Sequence, residues 1–354
     1  MTSRIAADRA RELVEQIFVK YGFSESESTL IADTLIDADL RGIESHGIQR
    51  LKMYRRKILA GNVIVGSQAE TVINSPVVTV IDAHHGMGQL VATAAMKAAI
   101  AKSKKNGLAI TVVRNSNHFG AAGYYSRLAS QQGLIGISMT NTNPILVPTH
   151  AKKPFLGSNP IAFAMPTSAD DLVFDAATSI VSYGKIEILK RQQKNIPGQW
   201  AINKEGNVDD DPNEIIAGLK RQPRVGGILP IGGAGELNSG YKGYGISMIV
   251  EILTSILAQG TLSADQEQPG KQGISQFFLA IDPGAFGDPQ EIQNALAEML
   301  ERLRELPSGD GQQVVVPGDK EIRYYHRNLN EGIPVEASTL DEIRSIAEEL
   351  KIKF

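Results

Sequence analysis

The run Val77-Val-Thr-Val-Ile81-Asp-Ala-His-His-Gly86-Met-Gly88-Gln-Leu-Val91 decides which fold the chain can adopt. A β-branched stretch is followed by a Gly-x-Gly break and an Ala-rich helical stretch from about Leu90 to Lys104, which is how a dinucleotide-binding turn begins. The rest of that signature is absent. Gln89, Leu90 and Val91 stand where a third Gly or Ala is due, and the next strand-like run, Leu108–Val113, ends in Arg114 where a ribose-binding acid is due. The glycines therefore read as a structural turn before a packed helix, and a doubly wound dinucleotide domain is set aside. His84 and His85 are adjacent and point differently, which suits neither a metal pair nor a proton relay.

On the N-terminal side, Ala6, Ala10, Leu13, Val14, Ile17 and Phe18 fall at helical spacing, with Gly22 where the helix would be capped. Ser24 and Glu27 form a capping-box pattern that opens a second helix, with Leu30, Ile31, Leu35 and Ala38 on its apolar face. On the C-terminal side, Leu134–Thr140, Ile161–Met165, Leu172–Asp175 and Phe277–Ile281 read as buried strands. Tyr244–Leu257 reads as a helix, and 261–273 and 306–319 as loops. Helices first and mixed elements after predict an α/β or α+β sheet domain in the middle of the chain.

With 36 Lys+Arg against 39 Asp+Glu the formal charge is −3, and the basic footprint that nucleic-acid binding needs is missing. No cysteine is present, which excludes disulfides, thiolate nucleophiles and Cys-ligated metals, and with six His a dedicated metal site is not expected. Arg4, Asp8, Arg9, Arg11, Glu12 and Glu15 interrupt any signal-peptide core, and no apolar run is long enough for a membrane span. A cytoplasmic protein without nucleic-acid or membrane partners is the expectation.

Two segments carry candidate chemistry. In Arg41-Gly-Ile-Glu-Ser45-His46-Gly-Ile-Gln-Arg50-Leu-Lys-Met-Tyr54, a helix starting near Ser45 would put His46, Arg50 and Tyr54 on one face. A guanidinium fork suits a carboxylate and a nearby imidazole can trade a proton, although a solvated helix face has the same spacing. In Ser116-Asn-His118-Phe-Gly120, a histidine sits in a loop where a strand ends, poorly placed as core filler and able to titrate near neutrality. The strand ends Thr140–Pro144, Leu156–Pro160 and Asp175–Ser179, with Lys185, could line a polar cleft. Lys242, bracketed by glycines in Gly240-Tyr-Lys242-Gly-Tyr-Gly245, suits an anion. A hydrolase built on Ser45 and His46 or on Ser116 and His118 is a weaker alternative, because no Gly-x-Ser-x-Gly elbow exists and residues this close in sequence rarely form a nucleophile–base pair.

Taken in order, R-G-I-E-S-H-G-I-Q-R-L, S-N-H-F-G-A-A-G-Y-Y, N-P-I-L-V-P, L-G-S-N-P-I-A-F-A, D-A-A-T-S, I-P-G-Q-W-A and G-Y-K-G-Y-G resemble the malate/L-lactate dehydrogenase family, which lacks the Rossmann fold. The resemblance implies a homodimeric NAD(P)-dependent oxidoreductase of α/β class, with a mixed, largely antiparallel sheet as its nucleotide domain. It implies a helical substrate and dimerisation domain over 1–120 plus about 300–354, and a nucleotide domain over about 121–299.

It assigns substrate contacts to Ser45, His46, Arg50, Tyr54 and His118. Cofactor contacts fall to Thr142, Asp175, Ala176, Ala177, Lys242 and the Pro317-Gly318-Asp319 loop, where Asp319 replaces the usual Glu. His118 is the expected acid/base, with His46 as rival or polarising partner. The expected substrate is a small 2-oxo or 2-hydroxy acid, malate/oxaloacetate foremost. Lactate, sulfolactate, ureidoglycolate, diketo acids and cyclic imines are the alternatives within the family, and NAD is expected with NADP as its alternative.

Overall fold

The computed structural model describes residues 2–354. Strand β1 (Thr2–Ile5) leads into α1 (Ala7–Lys20), which buries Ala10, Leu13, Val14, Ile17 and Phe18. Ala6 stays exposed because it is the residue before the first helical turn, and Ala7 packs instead. The expected capping box closes: the Ser24 hydroxyl accepts the Glu27 amide at 3.3 Å and Glu27 accepts the Ser24 amide at 2.8 Å. It opens α2 (Glu25–Leu40), whose Ile31, Leu35 and Ile36 join α1 in one core with α3 (Leu51–Leu59).

There follow β2 (Glu70–Asn74), β3 (Val78–Asp82), α4 (Gly88–Asn106), β4 (Leu108–Ser116), α5 (Ala122–Ser130), β5 (Ile135–Thr140), β6 (Ile161–Met165) and β7 (Leu172–Ala176). A side lobe holds α6 (Tyr183–Arg191), β8 (Ala201–Ile202), α7 (Pro212–Lys220) and β9 (Gly227–Ile228) around Ile186, Ile215 and Leu219. Then come α8 (Gly240–Glu251), continued by a π-helical turn over Ile252–Ile256, and β10 (Ile274–Ile281). The chain ends in α9 (Pro289–Arg304), α10 (Asp319–Glu331), β11 (Ile333–Glu336) and α11 (Ala337–Glu349).

The main sheet has seven strands in the order β2-β3-β4-β10-β5-β6-β7. β3 and β4 run parallel, joined through α4, and every other neighbouring pair is antiparallel. One face packs Ala95, Met96, Val113, Tyr125 and Phe278 under α4 and α5; the other packs Val80, Val112, Met139 and Phe277 under Val250 and Ala258. β4 pairs with β10 from Leu108 to Ser116, so the sheet takes β2, β3 and β4 from the stretch expected to be helical and runs across the expected division at residue 120.

The antiparallel steps leave β4, β5 and β7 pointing the same way, and their C-terminal ends therefore share one end of the sheet. That places the loop carrying His118 beside Thr142 and Ala177. Gly88 supports this end, since a Cβ there would run into the backbone carbonyls of Asn117 and His118. The Gly-x-Gly turn thus serves close packing under the His118 loop, and the Arg114 beyond it pairs with Asp82 at 2.9 Å.

Candidate active site

The helix expected to begin at Ser45 is interrupted. Two 3-10 turns, Glu44–His46 and Ile48–Arg50, flank Gly47 before α3 begins. The cause is Asp39, near the end of α2. Its carboxyl group fills the place of a Cβ on residue 47 and accepts the Ile48 amide at 2.8 Å. Burial without a cation beside it pushes the Asp39 carboxyl well above the usual carboxylate range. The broken turn still leaves Ser45, His46 and Arg50 on one wall of a cleft.

His118 enters from the β4 end and its ring stacks on that of His46, with centroids 5.5 Å apart and planes 12° from parallel. The Ser45 hydroxyl lies 2.9 Å from His46 Nδ1, and the hydroxyl of the buried Tyr54 lies 2.7 Å from His118 Nδ1. Each ring thus has Nδ1 engaged by a hydroxyl, which leaves Nε2 as the nitrogen free for a ligand. Burial, then the Arg50 charge, lowers His46 to about 4. Burial first, then His46, Arg50 and Lys57, holds His118 well below an ordinary histidine. Both rings are neutral near pH 7 in the free protein, and a proton on one disfavours a proton on the other.

The cleft measures about 870 Å³. It gathers Ser45, His46, Arg50 and His118 at one end and Thr142, Asp175, Ala176, Ala177 and Gly318 along its length. Tyr54 stands behind His118 rather than on the wall. Two expected cofactor residues are not brought in. Lys242 sits exposed in the first turn of α8, its ammonium 5.8 Å from the Tyr241 ring centroid, and does not line this cleft. Asp319 begins α10, is held by Arg304 at 2.7 Å and does not line the cleft, whereas its neighbours Pro317, Gly318 and Lys320 do.

Three further features carry no assigned role in the motifs above. Lys57 joins the wall one turn beyond Met53 on α3, with Nζ lowered to about 8 by burial and then by Arg56. Arg127 lines the cleft from α5. The N-terminus of α5 opens onto it through Gly120-Ala-Ala-Gly123, where a Cβ on Gly120 would meet open space. Small residues at a helix start suit the pyrophosphate of a dinucleotide, and the small Ala176 and Ala177 leave room beside it, so the residues present fit a nicotinamide cofactor. Asp175 accepts the Gly123 amide at 2.6 Å through one oxygen, and its other oxygen has no hydrogen-bond partner among the described residues.

The profile of the malate/L-lactate dehydrogenase family matches residues 5–344. The chain belongs to that family. A malate dehydrogenase of Pyrococcus horikoshii is 38% identical over 99% of this chain and 96% of its own length. A malate/(S)-sulfolactate dehydrogenase of Methanothermus fervidus is 34% identical over 99% of both. The crystal structure of malate dehydrogenase from Entamoeba histolytica superposes with a TM-score of 0.95 at 33% identity, covering 100% of this chain and 99% of that one. This malate/L-lactate dehydrogenase family member is therefore an oxidoreductase that works with a nicotinamide cofactor on a small acid. Among the described residues no helix is long and apolar enough to cross a membrane.

Proposed function

We propose that the enzyme interconverts a 2-hydroxy acid and its 2-oxo acid, malate and oxaloacetate first, with His118 as the general acid/base. The observation that carries this reading is the stacked pair of neutral imidazoles beside Arg50, whose guanidinium spends Nε on the Ser45 carbonyl and meets no carboxylate among the described residues. Its remaining N–H groups suit a bidentate grip on the substrate carboxylate, which orients the neighbouring carbon. His118 Nε2 then takes the hydroxyl proton in oxidation and returns it to the carbonyl oxygen in reduction. For Nε2 to exchange that proton, Nδ1 must keep its own hydrogen in both protonation states, and the Tyr54 hydroxyl 2.7 Å away can accept it and so hold the ring in that tautomer. Binding an anion beside Arg50 offsets the positive charges that depress His118, so the acid substrate itself helps to recruit the proton that reduction needs. A nicotinamide cofactor, when bound, would supply or accept the hydride at the substrate carbon.

Thr142, Asp175, Ala176, Ala177, Gly318 and the start of α5 would hold that cofactor. Asp175 supports NAD over NADP, since a carboxylate at a strand end accepts from ribose hydroxyls and repels a ribose phosphate. Ile246, Ile249 and Ile256 form an exposed apolar stripe along α8 and its π-turn, which supports burial against a second copy in a homodimer.

The test is oxidation of NADH and NADPH, followed at 340 nm, against oxaloacetate, pyruvate, sulfopyruvate and a cyclic imine, with ureidoglycolate in the oxidative direction. The expected result is fastest turnover of oxaloacetate with NADH. Turnover of the imine or ureidoglycolate alone would overturn the reading.

A further inference from the structure

Lys57 has no role in the chemistry described so far, yet it is placed where the substrate must lie. It is half-buried on the cleft wall, and neither a hydrogen-bond acceptor nor a carboxylate of the chain meets Nζ among the described residues. Burying a cation unpaired is costly, and chains ordinarily supply an acid. Arg127 and Arg224 on this cleft follow that rule, paired with Asp37 and Glu267. Arg56, the next residue to Lys57, also lines the cleft but is exposed, so water solvates its charge.

The spacing is informative. Arg50, the residue that caps the start of α3, and Lys57 within it are seven residues apart, so their Cα atoms are separated by roughly 10 Å along the helix axis. Helical side chains lean toward the N-terminus, which carries the Lys57 head back toward Arg50. His118 lies within the field of both charges. Two unpaired cations facing one acid/base group call for a ligand with two anionic ends.

We infer that Lys57 receives a second acidic group of the substrate, the C4 carboxylate of oxaloacetate or the sulfonate of sulfopyruvate, and thereby selects such diacids over pyruvate. The inference rests on the 2-oxo acid reading above. The lowered ammonium of Lys57 agrees with a desolvated head whose charge an incoming anion restores.

The experiment measures kcat and KM of wild type, Lys57→Met, Lys57→Gln and Lys57→Arg with oxaloacetate, sulfopyruvate and pyruvate at saturating cofactor. Melting temperature and NADH fluorescence confirm that each variant is folded, and Lys57→Gln is read if Lys57→Met is not. Loss of a hydrogen bond to a charged group predicts a rise in KM of about 30-fold for the preferred diacid, with kcat and the constants for pyruvate changed less than about threefold. Lys57→Arg should restore most of the loss. The rise falling on oxaloacetate or on sulfopyruvate identifies which acid is the partner. Equal losses on diacid and pyruvate, an unchanged diacid KM, or a wild type that prefers pyruvate would overturn the inference while leaving the 2-oxo acid reading in place. A wild type inactive on all three acids would sink that reading and the inference with it.

Discussion

At the His118 end of the cleft, Arg50 and Lys57 face the opening with no carboxylate beside them, whereas further along Arg224 forks onto Glu267 with Nε 2.9 Å from Oε2. The same contrast separates the two imidazoles, whose hydrogen-bond partners are the Ser45 and Tyr54 hydroxyls and the Gly120 amide, from Arg127, whose charge is absorbed by Asp37 and sits beside Arg41. All of these groups line or border one cavity, so solvent access does not explain the difference. Cations completed inside the chain hold elements together: Arg127 ties α5 to α2, and Arg224 ties the segment after α7 to the loop before β10. Cations left incomplete are the ones a substrate must complete. If this division is right, mutating an unpaired group changes kinetics and spares stability, and mutating a paired one does the reverse.

The largest expected effect falls on His118. His118→Ala should lower kcat by at least about 100-fold, the usual worth of general acid–base assistance, while NADH fluorescence titration gives a nearly unchanged Kd. The same measurement on His46→Ala sharpens the comparison within the pair. A loss below about tenfold there fits a polarising partner, and a full loss for His46 with a mild one for His118 would reverse the roles. Next in size is Arg50→Lys. Lysine cannot hold the Ser45 carbonyl and fork a carboxylate at once, so the KM for the acid should rise about 30-fold with a melting temperature close to wild type. A KM like that of the wild type would remove Arg50 from the substrate.

How much of this was legible in the sequence follows from the range of the interactions involved. The capping box at Ser24, the strands from Ile135 to Ala176 and the His118 loop are set by neighbours within a few residues, and pattern reading finds such signals. The 3-10 break at Gly47 was not legible, because it depends on Asp39, eight residues earlier, filling the space of a Cβ. The pairing of β1 with β11, Thr2 against Glu336 and Ile5 against Ile333, has no local trace at all. In the site, Ser45, His46, Arg50 and His118 were found through motif order, but Lys57 looked like one more cation in Arg55-Arg56-Lys57, and only burial singles it out. The same limit applied to Lys242. Its glycine-flanked setting suggests an anion site, and nothing local says that the first turn of α8 faces away from this cleft.

The smallest expected effect tests the paired side of the comparison. Glu267 accepts from Arg224 and from Gln222 Nε2 at 2.9 Å, and these contacts hold its carboxyl below the ordinary glutamate range despite partial burial. A depressed folded pKa contributes stability that is present above the unfolded value, near 4.3, and is lost as pH falls through the folded one. Glu267→Gln keeps the shape and removes the charge. It should cost roughly 1 kcal/mol at pH 7, read from chemical denaturation, with KM for the acid and kcat within about twofold of wild type. The stability gap between variant and wild type should narrow as the pH is lowered below about 4.3, because the wild-type glutamate then becomes neutral as well. A large KM change with unaltered stability would mean that Arg224 also waits for a ligand, and the division between completed and incomplete cations would fail at this end of the cleft.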